Sequence, residues 1–266
     1  MSRYKELFKA INQLERDEIP YAIATVFAVS GSSSGRLGDK AIFGREGDRI
    51  TGFIGGGCIE NRVAAIAKES LEDGQPKTIE IDLDSDKMEM GIPCGGYMSV
   101  IVEPQMKDKT ILIKGVGSIT EFLCQMASLL KFKVIVLTTK QDKDRYPDAS
   151  KVIVGNLEIQ DIDFPVDYFI LATHHRNDDQ VSLEALRKGI SYVGVVASEK
   201  KAKIIYEFLK KNKLTTKQLE NFFSPVGLEL NAKTPEQIAL SILSEIIMLE
   251  NKGTSNSKRV VIESDN

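Results

Sequence analysis

The sequence predicts an α/β protein with an N-terminal α+β domain over residues 1–104 and a doubly wound parallel-sheet domain over residues 108–250. Its 266 residues are enough for two domains. The first half mixes short β-branched runs with glycine-rich turns, whereas the second half repeats strand–helix units. Such repeats form a parallel sheet covered by helices on both faces. A Gly-x-Gly turn, Gly115-Val116-Gly117, follows the first strand of the second half and opens a helix, which indicates a Rossmann-like domain.

Periodicity and turn residues predict the elements of the N-terminal half. Leu7, Ile11 and Leu14 recur at helical spacing, and Pro20 ends that first helix. A loop rich in serine and glycine, Ser30–Gly38, separates the first strand from a short hairpin. A second helix runs to about Leu71. The predicted strands are 21–29, 40–43, 49–53, 77–83 and 97–102, and Glu103-Pro104 closes the domain.

The C-terminal half reads as strands alternating with helices after a polar linker at 105–109. Thr234 suits an N-cap and Pro235 suits the first position of the last helix. The remaining residues, 251–266, form a flexible polar tail. The predicted strands are 110–114, 133–137, 151–154, 168–172 and 191–195, and the predicted helices are 115–130, 180–188, 199–211 and 235–250.

Charge, hydropathy and cysteine usage limit the classes of function. The formal net charge of −3 provides no basic field for nucleic acid. No apolar run reaches the roughly 20 residues that cross a bilayer. The first residues are polar, unlike a signal peptide. Three cysteines without a paired framework favour a reducing compartment. We therefore expect a cytoplasmic protein with no nucleic-acid and no membrane partner.

A run of three glycines leads directly into a cysteine at Ile54-Gly55-Gly56-Gly57-Cys58-Ile59-Glu60. A glycine-rich turn that opens a helix leaves N–H groups pointing outward at the positive end of the helix dipole, which favours anions. A cysteine at that place favours the thiolate, the nucleophilic and metal-binding form. Read alone, the run fits this anion site and a tight turn with a small buried cysteine equally well.

A second glycine–cysteine cluster follows at Cys94-Gly95-Gly96. Two cysteines in two glycine-rich turns of one domain could hold a soft metal, relay sulfur or pair reversibly. Alternatively, the two thiols are only packed side chains with a structural role. The third cysteine, Cys124, lies within an apolar helix and is expected in the core.

The Gly115-x-Gly117 turn is only half of a dinucleotide-binding pattern. The third glycine position holds Thr120, and the second strand ends in Thr138-Thr139, with no acidic residue for a ribose hydroxyl. Phosphate binding at Gly115–Ser118 fits the pattern, but tight NAD(P) binding does not. His174 comes just past the carboxyl end of a strand, where open α/β sheets bind ligands, and its chemistry suits proton transfer or hydrogen bonding.

These motifs together resemble the XdhC/CoxI family over about residues 21–248. The most specific similarity is the order of the motifs, because two glycine–cysteine motifs precede a Rossmann-like half. The matching motifs and residues are Ser30–Gly38, Ile54–Glu60, Cys94-Gly95-Gly96, Gly115-x-Gly117, Thr173-His174, Asp179, Ser198-x-Lys200, Pro225-Val226-Gly227 and Thr234–Ala239.

The resemblance implies an accessory chaperone that binds the molybdenum cofactor transiently. Such a protein would support sulfuration with a cysteine desulfurase and deliver the cofactor to a xanthine dehydrogenase-type molybdenum hydroxylase. Cys58 and Cys94 become candidate molybdenum ligands, and the cofactor is expected in a cleft between the domains. The predicted cofactor-binding residues are Gly55, Gly56, Gly57, Cys58, Glu60, Cys94, Gly95, Gly96, Gly115, Gly117, His174 and Ser198.

Two other classes of function stay open. One is a nucleotide-dependent NAD(P) oxidoreductase that uses Gly115–Ser118. The other is a protein–protein adaptor that handles no cofactor. The sequence also leaves a homodimer open, because periodicity does not locate an exposed apolar interface.

Overall fold

The computed structural model describes residues 3–31, 33–82, 96–155, 158–173 and 177–258. The chain divides into two compact units, Met1–Lys107 and Asp108–Asn266. In the described part of the chain, no helix is long and apolar enough to cross a membrane.

The first unit is an antiparallel sheet with one helix on each face. Its strands have the order β3-β2-β1-β5-β4. Successive strand residues point to opposite faces. Tyr21 and Ile42 therefore pack in the cluster of the first helix, while Ala22 and Phe43 pack with the second. The elements are α1 Arg3–Arg16, β1 Tyr21–Gly31, β2 Lys40–Phe43, β3 Arg49–Gly52, α2 Gly57–Asp73, β4 Lys77–Asp82 and β5 Gly96–Gln105.

Strand β5 is longer than the sequence predicted. It continues through Glu103 and Pro104 to Gln105. The last pair between β4 and β5 is Lys77 with Val102. Beyond it β5 has an edge without β4, where a proline with no N–H is tolerated.

The second unit is a doubly wound parallel sheet, which confirms the predicted fold class. All its strand pairs are parallel, in the order β11-β10-β9-β6-β7-β8. The elements are β6 Thr110–Gly115, α3 Gly117–Leu129, β7 Lys133–Thr138, β8 Lys151–Val154, β9 Tyr168–Ala172, α4 Asp178–Arg187, β10 Val193–Val195, α5 Glu199–Lys211, α6 Thr216–Glu220, β11 Phe222–Phe223 and α7 Pro235–Glu250.

Helices cover both faces of this sheet. On one face Ile113 packs with residues of α3 and α7, including Leu123 and Ile242. On the other face Leu112 packs with residues of α4 and α5, including Leu183. The near-continuous burial of β6 follows from this double cover.

The direction of winding reverses between β6 and β9. The chain runs outward from β6 to β7 and β8, then returns beside β6 as β9 and runs outward the other way. Crossovers on the two sides of this point leave a crevice at the carboxyl ends of the strands, where doubly wound proteins bind ligands.

Some elements differ from the sequence prediction. Helix α6 and strand β11 were not predicted, because five and two residues are too few for periodicity to register. Leu249, near the end of α7, is 43% exposed, whereas Ile242 and Ile246 are buried. Helix α4 begins at Asp178 rather than at Gln180.

Candidate functional site

The glycine turn of the first unit leads into α2 as predicted. Gly55 has φ +139°, a backbone conformation that side chains disfavour. Gly56 is the N-cap residue, and its N–H donates to the Ser34 Oγ at 3.0 Å. The hydrogen bond joins the serine–glycine loop to the glycine turn, so two motifs far apart in sequence form one local site.

The same loop approaches the turn too closely for a larger residue. A Cβ on Gly35 would lie 2.4 Å from the Ile54 carbonyl oxygen. Only glycine permits this contact between the two backbones. The loop is therefore packed against the turn and is not a free connector.

Helix α2 begins with uncapped N–H groups. The N-cap Gly56 supplies no side chain, and no described residue accepts a hydrogen bond from the N–H of Gly57 or Cys58. Both glycines are exposed, and the free thiol of Cys58 is half-buried beside them. Uncapped donors at the positive end of a helix favour a bound anion.

Glu60 has a partner within the protein. Its carboxylate forms an ion pair with the guanidinium of Arg49 on β3, and the Arg49 Nη1 also donates to the Gly52 carbonyl at 3.3 Å. The pair joins the first turn of α2 to the strand hairpin. The structure thus gives Glu60 a supporting contact, and its predicted contact with a cofactor stays a prediction.

The second glycine–cysteine motif is only partly described. Gly96 begins β5 and pairs with Gly31 of β1. Cys94, Gly95 and His174 lie outside the described residues, so the convergence of Cys58 and Cys94 stays a prediction. Across the described ranges, no group of three or more His, Cys, Asp and Glu side chains could hold a metal ion.

The second unit contains a cleft of about 540 Å³ at the switch point of its sheet. The cleft lies at the carboxyl ends of β6, β9 and β10, and it brings together Gly117 and Ser198, both predicted from the sequence. Its described lining residues are Val116, Gly117, Ser118, Ile119, Ala172, Thr173, Val196, Ala197, Ser198, Lys201 and Pro235.

Gly115 and Thr120 explain why the third glycine of the dinucleotide pattern is absent. A Cβ on Gly115 would lie 2.4 Å from the Thr120 Oγ1 and 2.8 Å from the Ala172 carbonyl oxygen. The buried Thr120 hydroxyl donates to the Val116 carbonyl at 3.2 Å. Thr120 therefore fills the space between α3 and β6, and Gly115 supplies the room for it.

A buried carboxylate holds a lysine at this cleft. Asp178, only 3% exposed, accepts a hydrogen bond from the Thr173 hydroxyl at 2.5 Å and forms an ion pair with the ammonium of Lys201. Lys201 lines the cleft. Neither partner was predicted as a site residue, although an aspartate shortly after a strand and a lysine in the first turn after Ser198 are signals visible in the sequence.

Two buried hydroxyls lie behind the Gly115–Gly117 turn. Thr138 and Tyr146 are 5% and 2% exposed, and neither hydroxyl has a hydrogen-bond partner in the described structure. Burial raises the pKa of Tyr146, while the nearby Thr138 hydroxyl and Gly117 N–H act against that rise. Neutral hydroxyls thus occupy the region where dinucleotide-binding proteins carry an acidic residue.

The fold and its cleft define a Rossmann-type protein with an additional antiparallel N-terminal unit. The family model described as the XdhC Rossmann domain matches residues 111–246, and that described as the XdhC and CoxI family matches residues 14–82. The chain belongs to the XdhC/CoxI family, as the motifs had indicated.

Three relatives are similar to this chain. The uncharacterized protein YqeB of Escherichia coli is 24% identical over 92% of this chain and 46% of its own length. A probable xanthine dehydrogenase subunit of Bacillus subtilis is 23% identical over 89% of this chain and 95% of its own. The E. coli molybdenum cofactor insertion chaperone PaoD is 31% identical over 29% of this chain and 24% of its own. The chain thus spans less than half the length of YqeB.

Proposed function

We propose that this protein is an accessory chaperone that binds the molybdenum cofactor transiently and delivers it to a xanthine dehydrogenase-type molybdenum hydroxylase. The observation that carries the proposal is the uncapped start of α2 beside Cys58. Uncapped N–H groups suit the phosphate of the cofactor's pterin, and a thiolate suits molybdenum or sulfur. The name of PaoD, a molybdenum cofactor insertion chaperone, supports the same reading.

The donor set of the glycine turn fits such a cargo. The exposed Gly56 and Gly57 leave room for a ligand, since a Cβ on Gly57 would meet nothing within 4 Å. Cys58 is half-buried, so its thiol is accessible without being freely solvated. When bound, the cofactor would supply the molybdenum and would be the acceptor of the sulfur that the desulfurase provides. The protein would hold the phosphate and the metal end.

Pterin retention tests the proposal. The full-length protein is purified from cells that make the cofactor, and released pterin is measured by fluorescence for wild type, Cys58→Ala and Cys58→Ser. We expect wild type to carry pterin, and both variants to carry little. Glu69→Ala, an exposed change on the same helix, is the matched control and should retain it.

The pattern across the variants separates the roles of the turn and the thiol. Retention equal to wild type in Cys58→Ser would assign binding to the turn alone and remove Cys58 as a ligand. No pterin above that of an unrelated protein would overturn the proposal.

The proposal includes a cysteine desulfurase as the source of sulfur. The Cys58 thiolate would attack the outer sulfur of the desulfurase's cysteine persulfide, breaking that S–S bond and releasing the desulfurase thiolate, so that Cys58 itself becomes the persulfide. Cys58 is the candidate acceptor in the described part of the chain. Incubation with a desulfurase and cysteine should add one sulfur atom to the peptide that contains Cys58. Mass spectrometry measures it, and absence of the added mass would remove sulfuration from the proposal.

A nucleotide-dependent oxidoreductase is the rival function, and the Rossmann-type cleft favours it. Saturable micromolar binding of NAD(H) or NADP(H), a free energy of about −8 kcal/mol, would support the rival. We expect calorimetry to find no such binding, because neutral Thr138 occupies the end of β7, where dinucleotide-binding proteins carry an acidic residue for the ribose hydroxyl.

The adaptor function predicts a different result. A pull-down with the protein would capture a hydroxylase or a desulfurase, and no pterin would be retained.

A further inference from the structure

We propose that a surface of the first unit docks the protein that receives the cofactor, and that this partner presents an apolar side chain ringed by acidic groups. The docking surface consists of the exposed side chains of Tyr4, Phe8 and Leu37 around a small pocket. The inference rests on the proposed function, because the partner is the molybdenum hydroxylase to which the cofactor is delivered.

A small pocket lies at the centre of the docking surface. Its volume is about 40 Å³. Three elements line it, namely α1 with Tyr4 and Leu7, the serine–glycine loop with Gly38, and the end of β3 with Gly52 and Phe53. Pockets for drug-sized ligands measure roughly 300 Å³ or more, so this pocket suits a single small group on the surface of a larger partner.

Large apolar side chains surround this pocket. Tyr4, Phe8 and Leu37 are 57%, 64% and 72% exposed. Tyr4 lines the pocket, Phe8 lies one helical turn further along α1, and Leu37 directly precedes Gly38. Single exposed apolar residues are ordinary, but aromatic and aliphatic side chains grouped around a pocket are typical of protein–protein interfaces.

The pocket and the glycine turn are built from the same two chain segments. Phe53 is two residues before Gly55, so their Cα atoms are at most about 7.6 Å apart. On the other side, the loop that supplies Gly38 also supplies Ser34, whose Oγ accepts the Gly56 N–H at 3.0 Å. A partner seated on the pocket is therefore beside the predicted cofactor turn.

Helix α1 gives the docking surface a basic border. Lys5, Lys9 and Arg16 are exposed, and spacings of four and seven residues place them on one face of the helix. Lys5 is three residues before Phe8 and is therefore its neighbour on the helix surface. Acidic groups around the apolar contact of the partner would complement this border and speed the encounter.

The nearby acidic residues do not cancel the basic border. Glu6 is two residues from Phe8 and lies on the other side of the helix. The Glu15 carboxylate accepts from the Tyr21 hydroxyl at 2.7 Å, and the Asp39 carboxylate accepts a backbone N–H of its own loop at 2.9 Å. Two of the three carboxylates are thus engaged within the first unit.

The loop that carries Leu37 is held in place by strand β1. The Gly38 N–H donates to the Val26 carbonyl at 2.8 Å, and the Val26 N–H donates to the Asp39 carbonyl at 2.9 Å. A side chain on a loop that is already ordered costs less conformational entropy on binding. Leu37 is therefore a preorganised contact.

Titration of the full-length protein with a cofactor-free client enzyme tests the inference. The probe is the xanthine dehydrogenase-type hydroxylase of the same cells, purified from a strain that makes no cofactor. We expect saturable binding by calorimetry, and an affinity about tenfold lower for Phe8→Asp and for Leu37→Asp. Leu240→Asp, which changes a 52% exposed leucine on α7 of the second unit, is the matched control and should equal wild type.

Two further measurements separate docking from folding and from cofactor binding. The three aspartate variants should retain pterin like wild type, because none of the changed residues belongs to the glycine turn. Their melting temperatures should equal that of wild type, because the three side chains are exposed. Lys5→Glu combined with Lys9→Glu should weaken enzyme binding most at low salt, where charge attraction is least screened.

Each outcome bears on one of the two proposals. Enzyme binding unchanged in Phe8→Asp and Leu37→Asp, lost equally in Leu240→Asp, or absent in wild type would overturn the inference. Binding of a cysteine desulfurase or of anionic phospholipid vesicles through these residues, in place of the enzyme, would overturn it as well. Wild-type protein that binds the enzyme through this surface and carries no pterin would support the docking surface and contradict the cofactor proposal.

Discussion

At the residue scale, Gly115 and Gly117 are required for different physical reasons. A Cβ on Gly115 would collide with the Ala172 carbonyl oxygen, which is backbone and does not move easily. A Cβ on Gly117 would meet nothing within 4 Å, but its φ of +75° disfavours any side chain. The first glycine permits close packing, and the second permits the turn.

We predict that Gly115→Ala destabilises the protein more than Gly117→Ala. Overpacking costs about 1–3 kcal/mol, whereas one non-glycine residue in the left-handed region costs about 1–2 kcal/mol. Urea denaturation measures the free energy of unfolding. Gly57→Ala, with open space and no left-handed backbone, is the control and should be near neutral. Equal losses at Gly115 and Gly117 would contradict the packing argument.

Cys58 and Cys124 have the same side chain in different surroundings. Cys58 is half-buried at the start of α2, whereas Cys124 is 1% exposed within the core of the second unit. Burial, with a smaller contribution from Asp148, raises the pKa of the Cys124 thiol to about 12. Cys124 is therefore a core residue, as the sequence predicted.

The raised pKa of Cys124 predicts a loss of stability in alkaline solution. The buried thiol stays protonated in the folded state, while the unfolded thiol ionises above its ordinary value of 9.0. The contribution of the Cys124 thiol to the free energy of unfolding is complete below pH 9 and is lost as pH rises toward 12. Cys124→Ala should therefore show a shallower fall of unfolding free energy than wild type in this range. Identical slopes would contradict the prediction, and comparing slopes cancels the ionisation of the buried tyrosines.

At the element scale, the N-termini of the helices differ in their caps. Thr234 and Gln237 form a reciprocal capping box at the start of α7, and Thr215 and Gln218 do the same for α6. Helix α2 instead begins at Gly56 without a side-chain cap. Helices α3 and α4 also begin without a side-chain cap. The free N–H groups at the start of α2 are the feature that the cofactor proposal requires.

A cap introduced at α2 should separate stability from function. The Gly56 backbone has φ −74° and ψ 173°, which serine adopts readily, and a Cβ there would meet only the Ser34 Oγ at 3.9 Å. Gly56→Ser should stabilise the protein by a few tenths of a kcal/mol, because a serine cap satisfies a free N–H. The same hydroxyl would occupy the anion site, so we expect reduced pterin retention. Retention unchanged in a folded, capped variant would argue against phosphate binding at this turn.

At the scale of the whole molecule, each unit has its own buried core. The first packs residues such as Val63 and Val100 between α2 and the antiparallel sheet. The second packs Ile113 and Leu112 on opposite faces of the parallel sheet. Separate cores are the condition for independent folding.

We predict that residues 1–107 and residues 108–258 fold as separate fragments. Each should unfold cooperatively in urea. Circular dichroism measures the unfolding of each fragment. A second fragment that unfolds without cooperativity, while the full-length protein unfolds cooperatively, would show that its core depends on the first unit.

Local patterns carried most of the fold prediction. Long periodic segments, such as α5 at 199–211 and α7 at 235–250, were predicted with their observed bounds, because amphipathic spacing and the Thr234-Pro235 cap signal are local in sequence. Helix α6 lacked that length and was missed. The family was readable for the same reason, since the glycine–cysteine motifs are contiguous.

The sequence by itself determined the two folds, their order and the glycine turns that open α2 and α3, because backbone torsions and helix dipoles depend on adjacent residues. Only the tertiary structure decided that Ser34 binds the Gly56 N–H and that Asp178 holds Lys201 at the cleft. These partners are 22 and 23 residues apart. Their meeting depends on loop packing and on the strand order of a wound sheet, which no local pattern encodes.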